Sequence, residues 1–235
     1  AYEKSMENLL SVIEKKGSID AAVRFAEKQF LAVETKQGLK VPVVGIVGEI
    51  YIRSNRFSNN FLVDKLEQRG CEVIMPSLVE WMLYINHLLK ESTLKEGNIW
   101  KHATARLSDW VQRKDEHKYL KMLSSILGEN DEATISEIIA HAEGFLHPSF
   151  RGEAVLSIGK ALEMHGKGIN GLVNVMPFTC MPGNVVTAVM KGVKESLKGL
   201  PVLNLAFDGQ EQLSLENNLD AFVHQVKQTV KKFRG

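Results

Sequence analysis

The sequence predicts an α/β fold in which a four-stranded parallel sheet of order 2-1-3-4 is doubly wound by helices, with a large helical insertion between strands 2 and 3. Two short apolar runs, residues 41–47 and 171–176, are closed by Gly48 and Pro177. Such runs are typical of strands buried on both faces of a parallel sheet. They alternate with amphipathic stretches, and right-handed strand–helix–strand connections make a doubly wound parallel sheet the simplest arrangement.

The first part of the chain divides into N-terminal helices and the start of the core. Residues 1–40 are predicted to contain the N-terminal helices: residues 3–35 have helical apolar spacing with Ser18 as a predicted N-cap, and the polar segment from Thr35 to Lys40 is a predicted linker. Residues 41–76 then read as strand, helix and strand. The helix carries Leu62 and Leu66 on one side and ends at Gly70.

Residues 77–167 are predicted to be entirely helical and to form the insertion. Ser77 and Glu80 have the spacing of a capping box at its start. Further helices are expected at 98–127, at 131–146 (entered at Asn130 and Asp131) and from about Arg151 to His165.

The remainder, 168–235, completes the α/β core together with 41–76. Strand 3 is expected over residues 171–176, followed by a helix for which Asn184 is the predicted cap. Strand 4 covers 201–207, and a final amphipathic helix starts at Ser214.

Composition and charge narrow the class of protein. The 235 residues carry a formal net charge of +1, which does not favour a nucleic-acid partner. No apolar run reaches the roughly 18 residues of a membrane span, and the first four residues already include charges, unlike a secretory signal. Two distant cysteines predict a reducing compartment, so we expect a cytoplasmic protein without a membrane partner.

Ligands of such sheets bind beyond the carboxyl ends of the strands, near the point where the strand order reverses. Three loops qualify, at residues 48–56, 177–184 and 208–211. The first contains Glu49, Arg53 and Asn55, which we predict to be ligand-binding together with Asn184 of the second. Forked arginine donors suit phosphate or carboxylate, although an ordinary solvated loop would have the same composition.

Cys180 is the most unusual residue of these loops, since it stands between two prolines just before a helix. A helix N-terminus favours the thiolate, the form that binds a metal or attacks as a nucleophile. The alternative is an inert small residue in a rigid turn. Cys71 lies between a helix-ending glycine and a strand, where a buried structural cysteine is expected.

Residues 48–55 (GEIYIRSN) and 177–183 (PFTCMPG) together resemble the 2-hydroxyacyl-CoA dehydratase family. The resemblance is strongest to the dehydratase-like C-terminal region of large CoA-substrate-specific enzyme activases, and it covers roughly residues 40–235. It implies that Cys180 is a ligand of a [4Fe–4S] cluster. An all-cysteine cluster needs three or four thiolates, so the resemblance also implies a fragment of a longer chain, or a subunit whose partner supplies further cysteines.

The resemblance therefore implies a C-terminal fragment of an iron–sulfur protein that supports low-potential electron transfer to CoA-thioester dehydration, inactive and without its cluster when isolated. One alternative is a non-catalytic module that binds acyl-CoA or another anionic small molecule through the first loop. A thiol enzyme with Cys180 as nucleophile is a further alternative, but its general base is not identifiable in the sequence.

Overall fold

The computed structural model describes residues 1–35, 41–128, 133–210 and 214–232. In order along the chain, the elements are α1 (Tyr2–Glu14), α2 (Ile19–Leu31), β1 (Val43–Gly48), α3 (Ile50–Ser54), α4 (Leu62–Gln68), β2 (Glu72–Ile74), α5 (Leu78–Lys95), α6 (Ile99–Met122), α7 (Ser124–Leu127), α8 (Ile135–Glu143), a 3₁₀ turn (Pro148–Phe150), α9 (Glu153–Gly166), β3 (Gly171–Pro177), α10 (Met181–Ser196), β4 (Val202–Phe207) and α11 (Leu215–Lys232).

The four strands form one parallel sheet of order β2-β1-β3-β4, which confirms the predicted topology. Both faces of the sheet are covered. Val44 and Val173 point into a core shared with α4 and α11, whereas Val47 and Leu172 point into a second core shared with α9 and α10. Burial on both faces explains why β1 and β3 are mostly apolar rather than alternating. The exception is Asn174 of β3, a polar residue that is fully buried.

The chain folds into two compact units. One contains residues 1–39 and 82–132 and is helical in its described part, and the other contains residues 40–81 and 133–235 with the whole sheet. The predicted insertion is thus divided between the two units. Helices α8 and α9 belong to the unit with the sheet. Most of α5, together with α6 and α7, belongs to the unit with α1 and α2. No strand occurs at 77–128 or 133–167, the described part of the insertion, as predicted.

Several predicted helix starts are confirmed by their capping hydrogen bonds. The Ser18 Oγ accepts the Ala21 N–H at 3.3 Å, and the Ser77 Oγ accepts the Glu80 N–H at 3.3 Å. The helix α8 begins at Ile135, capped by Thr134 in a reciprocal bond with Glu137. Asn130 and Asp131, where we expected this helix to begin, lie outside the described residues.

The predicted cap of α10 is wrong. This helix begins at Met181, its N-cap is Cys180, and the Asn184 N–H already donates to the Cys180 carbonyl at 3.0 Å. Pro182 explains the earlier start, because proline has a helical φ and lacks an N–H that the first turn would leave unpaired. Two prolines suggested a turn before this helix. Pro182 lies within the first turn of α10, and Pro177 lies at the end of β3, before Cys180.

No helix in the described part of the chain is long and apolar enough to span a lipid bilayer.

Candidate functional site at the carboxyl edge of the sheet

The loops after β1, β3 and β4 meet at one edge of the sheet, as the strand order predicts. The Glu49 N–H donates to the Val175 carbonyl of β3 at 2.9 Å, and the Phe178 N–H donates to the Phe207 carbonyl of β4 at 2.8 Å. The two sequence motifs, more than a hundred residues apart, therefore begin on adjacent strands at the same edge.

Gly48 allows the close approach of the first loop to β3. Its φ is +115°, and a Cβ at this position would lie 2.0 Å from the Val175 carbonyl oxygen. Only glycine combines this backbone conformation with so short a distance to a neighbouring strand. The residue that closes β1 thus sets the direction in which Glu49 and α3 leave the sheet.

Two carboxylates cover the N-terminus of α3. Glu49 accepts the Tyr51 N–H at 3.1 Å and the Ile52 N–H at 2.7 Å, while Glu153 of α9 accepts the Ile50 N–H at 3.1 Å. Burial raises the pKa of the Glu153 carboxyl above its usual value, and the nearby negative charge of Glu49 raises it further. The hydrogen bond from the Ile50 N–H lowers this pKa but does not cancel the rise. Glu49, predicted to bind a ligand, therefore has a capping role in this structure.

Asn55 also serves the local backbone. Its Oδ1 accepts the Ser58 N–H at 2.9 Å, and its Nδ2 donates to the Tyr51 hydroxyl at 3.1 Å. The neighbouring Arg56 makes a two-pronged ion pair with Asp64, at 2.7 Å for the nearest atoms. The polar residues of the first loop thus hold the turn between α3 and α4.

Arg53 is the predicted site residue that the fold encloses. It is 7% exposed, and its Nε has no hydrogen-bond partner in the described structure. Burial lowers the pKa of its guanidinium, which the nearby carboxylates of Glu80, Glu153 and Glu49 only partly counteract. It lines a cavity of about 10 Å³, room for one water-sized group, which Ser157 also lines.

A buried ion network next to this cavity was not found from the sequence. The Lys160 Nζ of α9 lies 3.0 Å from a Glu80 carboxylate oxygen and 3.3 Å from a Glu163 oxygen, and the side chains of all three residues are at most 11% exposed. The sequence feature that could have indicated this network is Lys160, which stands among Val155, Ile158 and the other apolar residues of α9. A charged residue on a buried helix face indicates a partner within the core.

Cys180 lies at the N-cap of α10 and is half-buried. Its backbone N–H donates to the Pro177 carbonyl at 3.1 Å, which closes the tight turn after β3, and Thr179 within that turn has a φ of +64°. The thiol is not among the groups that line the Arg53 cavity. The structure therefore places Cys180 and Arg53 at the same edge without making them parts of one cavity.

Asn184 and Cys71 differ from Cys180 in their surroundings. Asn184 is exposed in the second turn of α10. Cys71 is 5% exposed in the core, and burial raises the pKa of its thiol, opposed by Lys227. The described residues contain no group of three or more metal-binding side chains.

We compared the chain with protein families, with curated proteins and with solved structures. No family model matches the chain, and searches of curated proteins and of solved structures found no match.

The observed cap of α3 and the corrected start of α10 make a testable pair. Glu49→Ala should lower the unfolding free energy by about 1 kcal/mol, because it leaves two N–H groups of α3 without their acceptor. Asn184→Ala should instead leave it unchanged or raise it by a few tenths of a kcal/mol, since alanine is the better residue inside a helix. Urea unfolding of both variants checks this, with Glu49→Gln as the control that keeps one acceptor oxygen. A larger loss for Asn184→Ala would contradict the observed start of α10.

Proposed function

We propose that this chain is part of an iron–sulfur protein of the 2-hydroxyacyl-CoA dehydratase and activase type, in which Cys180 supplies one thiolate ligand of a [4Fe–4S] cluster. In this proposal the cluster supports low-potential electron transfer to CoA-thioester dehydration. The observation that supports it is the position of Cys180, a half-buried thiol at the N-cap of the 16-residue helix α10, on the carboxyl edge of the sheet.

The first turn of α10 suits an anionic sulfur ligand. The backbone N–H groups of an initial turn have no acceptor within the helix and favour negative charge at the N-cap. No side chain caps α10 in the described structure. Backbone N–H groups that point toward cluster sulfurs are one of the means by which a protein sets the reduction potential of a cluster.

The accessibility of the two cysteines favours Cys180 over Cys71 for this role. Cys180 is reachable from the edge of the sheet, whereas Cys71 is enclosed among residues such as Leu66 and Val226 of the core. The remaining thiolates come, in this proposal, from further sequence of the same polypeptide or from a partner subunit that docks at this edge. The cluster would then be shared between separate loops or chains.

The alternative of an anion-binding module at the first loop receives less support. Arg53 faces three carboxylates, and its cavity of about 10 Å³ is far smaller than the 300–1,000 Å³ typical of ligand pockets. Arg56 is already paired with Asp64. The cavity at Arg53 is therefore too small for most anionic ligands, and the three carboxylates around Arg53 would repel an anion.

The proposal predicts that Cys180→Ser disrupts cluster assembly. The intact gene product, together with any partner subunit that copurifies, is reconstituted anaerobically with ferrous iron and sulfide. We expect about four irons per cluster and broad visible absorption that bleaches on reduction. The same preparation of Cys180→Ser should lose most of its iron and colour, because a serine hydroxyl is a poor substitute for a soft thiolate ligand.

Cys71→Ser is the matched control, and it should retain iron content and absorption after reconstitution. Normal cluster assembly in Cys180→Ser would refute the assignment. So would a wild-type preparation, complete with partner, that fails to bind iron. Circular dichroism on each variant separates loss of the cluster from loss of the fold.

A further inference from the structure

The helix α6 of the helical unit, residues 1–39 and 82–132, carries a long apolar face that is open to solvent. Its first half has five large apolar side chains that are 43–85% exposed, and we call them the α6 face: Ile99, Trp100, Leu107, Trp110 and Val111. We propose that the α6 face is the interface of a homodimer in which two α6 helices pack antiparallel. The proposal does not rest on the proposed iron–sulfur function, because every residue of the α6 face belongs to the helical unit.

The five side chains lie on one side of the helix. At 3.6 residues per turn they fall within about a third of its circumference. The opposite side carries Ala105 and Asp109, the two buried residues of this helix. The second half of α6 contacts α2, where the Lys118 Nζ lies 2.6 Å from an Asp20 carboxylate oxygen. The open apolar face is therefore confined to residues 99–111, about three and a half turns.

The size of the α6 face suits a dimer interface. An aromatic side chain presents about 150–250 Å² and a branched aliphatic one about 100 Å², so the five residues at their observed exposure present about 600 Å² per copy. That area is at the upper end of the apolar patches on soluble monomers, and patches of that size are often functional. Two copies would bury about 1,200 Å², the lower end of stable and specific interfaces.

The order of residues along the α6 face is self-complementary. When two copies of α6 run antiparallel and cross at the level of Ala105, residues equally far from Ala105 on either side meet. Trp100 of one copy then faces Trp110 of the other, and Ile99 faces Val111. Each contact occurs twice, as in the isologous interface of a twofold dimer. An unrelated partner gives no reason for this internal symmetry, whereas a second copy of the chain does.

The middle of the α6 face pairs a small residue with a large one. Ala103 is exposed on the same side of the helix and is as far from Ala105 as Leu107 is. In the antiparallel pair, Ala103 of each copy would receive Leu107 of the other. Small residues opposite large ones allow side chains of two helices to interdigitate, and helices packed in this way lie about 8–10 Å apart.

Charges at the two ends of the α6 face match in the same arrangement. Glu96 is exposed in the turn before α6, and Lys114 is exposed just beyond Val111, with its ammonium 5.1 Å from the centroid of the Trp110 ring. The two charges are equally far from Ala105 along the chain. Antiparallel packing would therefore place Glu96 of each copy beside Lys114 of the other, whereas parallel packing would bring like charges together.

Analytical ultracentrifugation of the full chain between about 1 and 100 µM tests the proposal, since an interface of this size supports a micromolar Kd. We expect a monomer at the low end of this range and a dimer at the high end. Tryptophan emission should move to shorter wavelength as the dimer forms, because Trp100 and Trp110 leave water. A chain that is monomeric throughout this range would overturn the proposal, and its binding to phosphatidylserine vesicles would assign the α6 face to a membrane surface instead.

Leu107→Glu tests the location of the interface. The carboxylate would lie within the apolar contact, so the dimer Kd should rise at least about a hundredfold. Leu10→Glu is the matched control, because Leu10 is also exposed, at 54%, but lies on α1 of the same unit. It should change the Kd less than about twofold. A dimer that Leu107→Glu leaves intact, or that both variants weaken equally, would refute the location, and circular dichroism checks that both variants are folded.

A charge exchange tests the antiparallel orientation. Glu96→Lys and Lys114→Glu should each raise the dimer Kd about tenfold, because each places like charges together at both ends of the interface. A chain with both substitutions restores the opposite charges, and its Kd should return to within about threefold of the wild-type value. Additive weakening by the two substitutions would refute the antiparallel pair.

Discussion

Gly159→Ala should destabilise the sheet-containing unit by about 3 kcal/mol, the upper end of the usual cost of overpacking, although it adds only one methyl group. A Cβ at this position would lie 2.0 Å from the Ile138 carbonyl oxygen and 2.9 Å from the Ile138 Cγ2. The obstacle is backbone of α8, which cannot rotate away as a side chain would. The helices α8 and α9 would have to separate, exposing the core that they cover beside the sheet.

Gly192→Ala is the control for this prediction. Gly192 also lies in a helix, α10, but it is exposed, and no heavy atom lies within 4 Å of its added Cβ. Alanine should there raise the unfolding free energy by about 0.5–1 kcal/mol, through its higher helix propensity. Urea unfolding followed by circular dichroism measures both changes. A Gly159→Ala variant at least as stable as the wild type would contradict the observed closeness of α8 and α9.

Lys160→Met should lower the unfolding free energy by about 3 kcal/mol at neutral pH. Its Nζ pairs with Glu80 at 3.0 Å and Glu163 at 3.3 Å in an environment that is nearly closed to solvent. Burial lowers the pKa of Lys160, but the two carboxylates outweigh burial and raise it. The stabilisation by Lys160 is therefore complete below the ordinary lysine pKa and lost only as the pH rises through the elevated one.

The pH dependence of the variant distinguishes ion pairing from packing. Without Lys160, the two carboxylates are left in the protein interior with less compensation, and protonation relieves that cost. The difference between variant and wild type should therefore shrink as the pH falls from 8 toward the range where carboxyl groups take up protons. A difference that stays constant over this range would indicate that Lys160 contributes only its aliphatic chain.

Lys167→Met is the matched control for Lys160→Met. Lys167 pairs with the same Glu163 at 2.6 Å, but its side chain is 45% exposed. Solvent screens such a pair, so the substitution should cost less than about 1 kcal/mol. Equal losses for the two lysines would contradict the distinction between a buried and an exposed ion pair.

The sequence by itself determined the sheet and its order. The largely apolar runs that became β1 and β3 are buried on both faces, and this pattern is visible without coordinates. The strand order followed from the right-handedness of the connections, a property of the chain's chirality rather than of particular contacts. The same reasoning placed the loops that begin at Glu49 and Phe178 at one edge of the sheet.

Tertiary structure alone decided which polar residues are enclosed and which cap helices. Lys160 and Arg53 are buried because α9 and α3 lie against the sheet, and a one-dimensional pattern does not state which partner will neutralise a charge. The start of α10 at Met181, by contrast, has a local reason in the sequence, because Pro182 suits the first turn of a helix. Gly159 appeared to be an ordinary helical glycine until α8 was found against it. The spacing of apolar residues along the chain indicates which elements form and which of their faces are buried. Contacts between segments that are far apart in the sequence form only when the chain folds, so the sequence pattern does not reveal them.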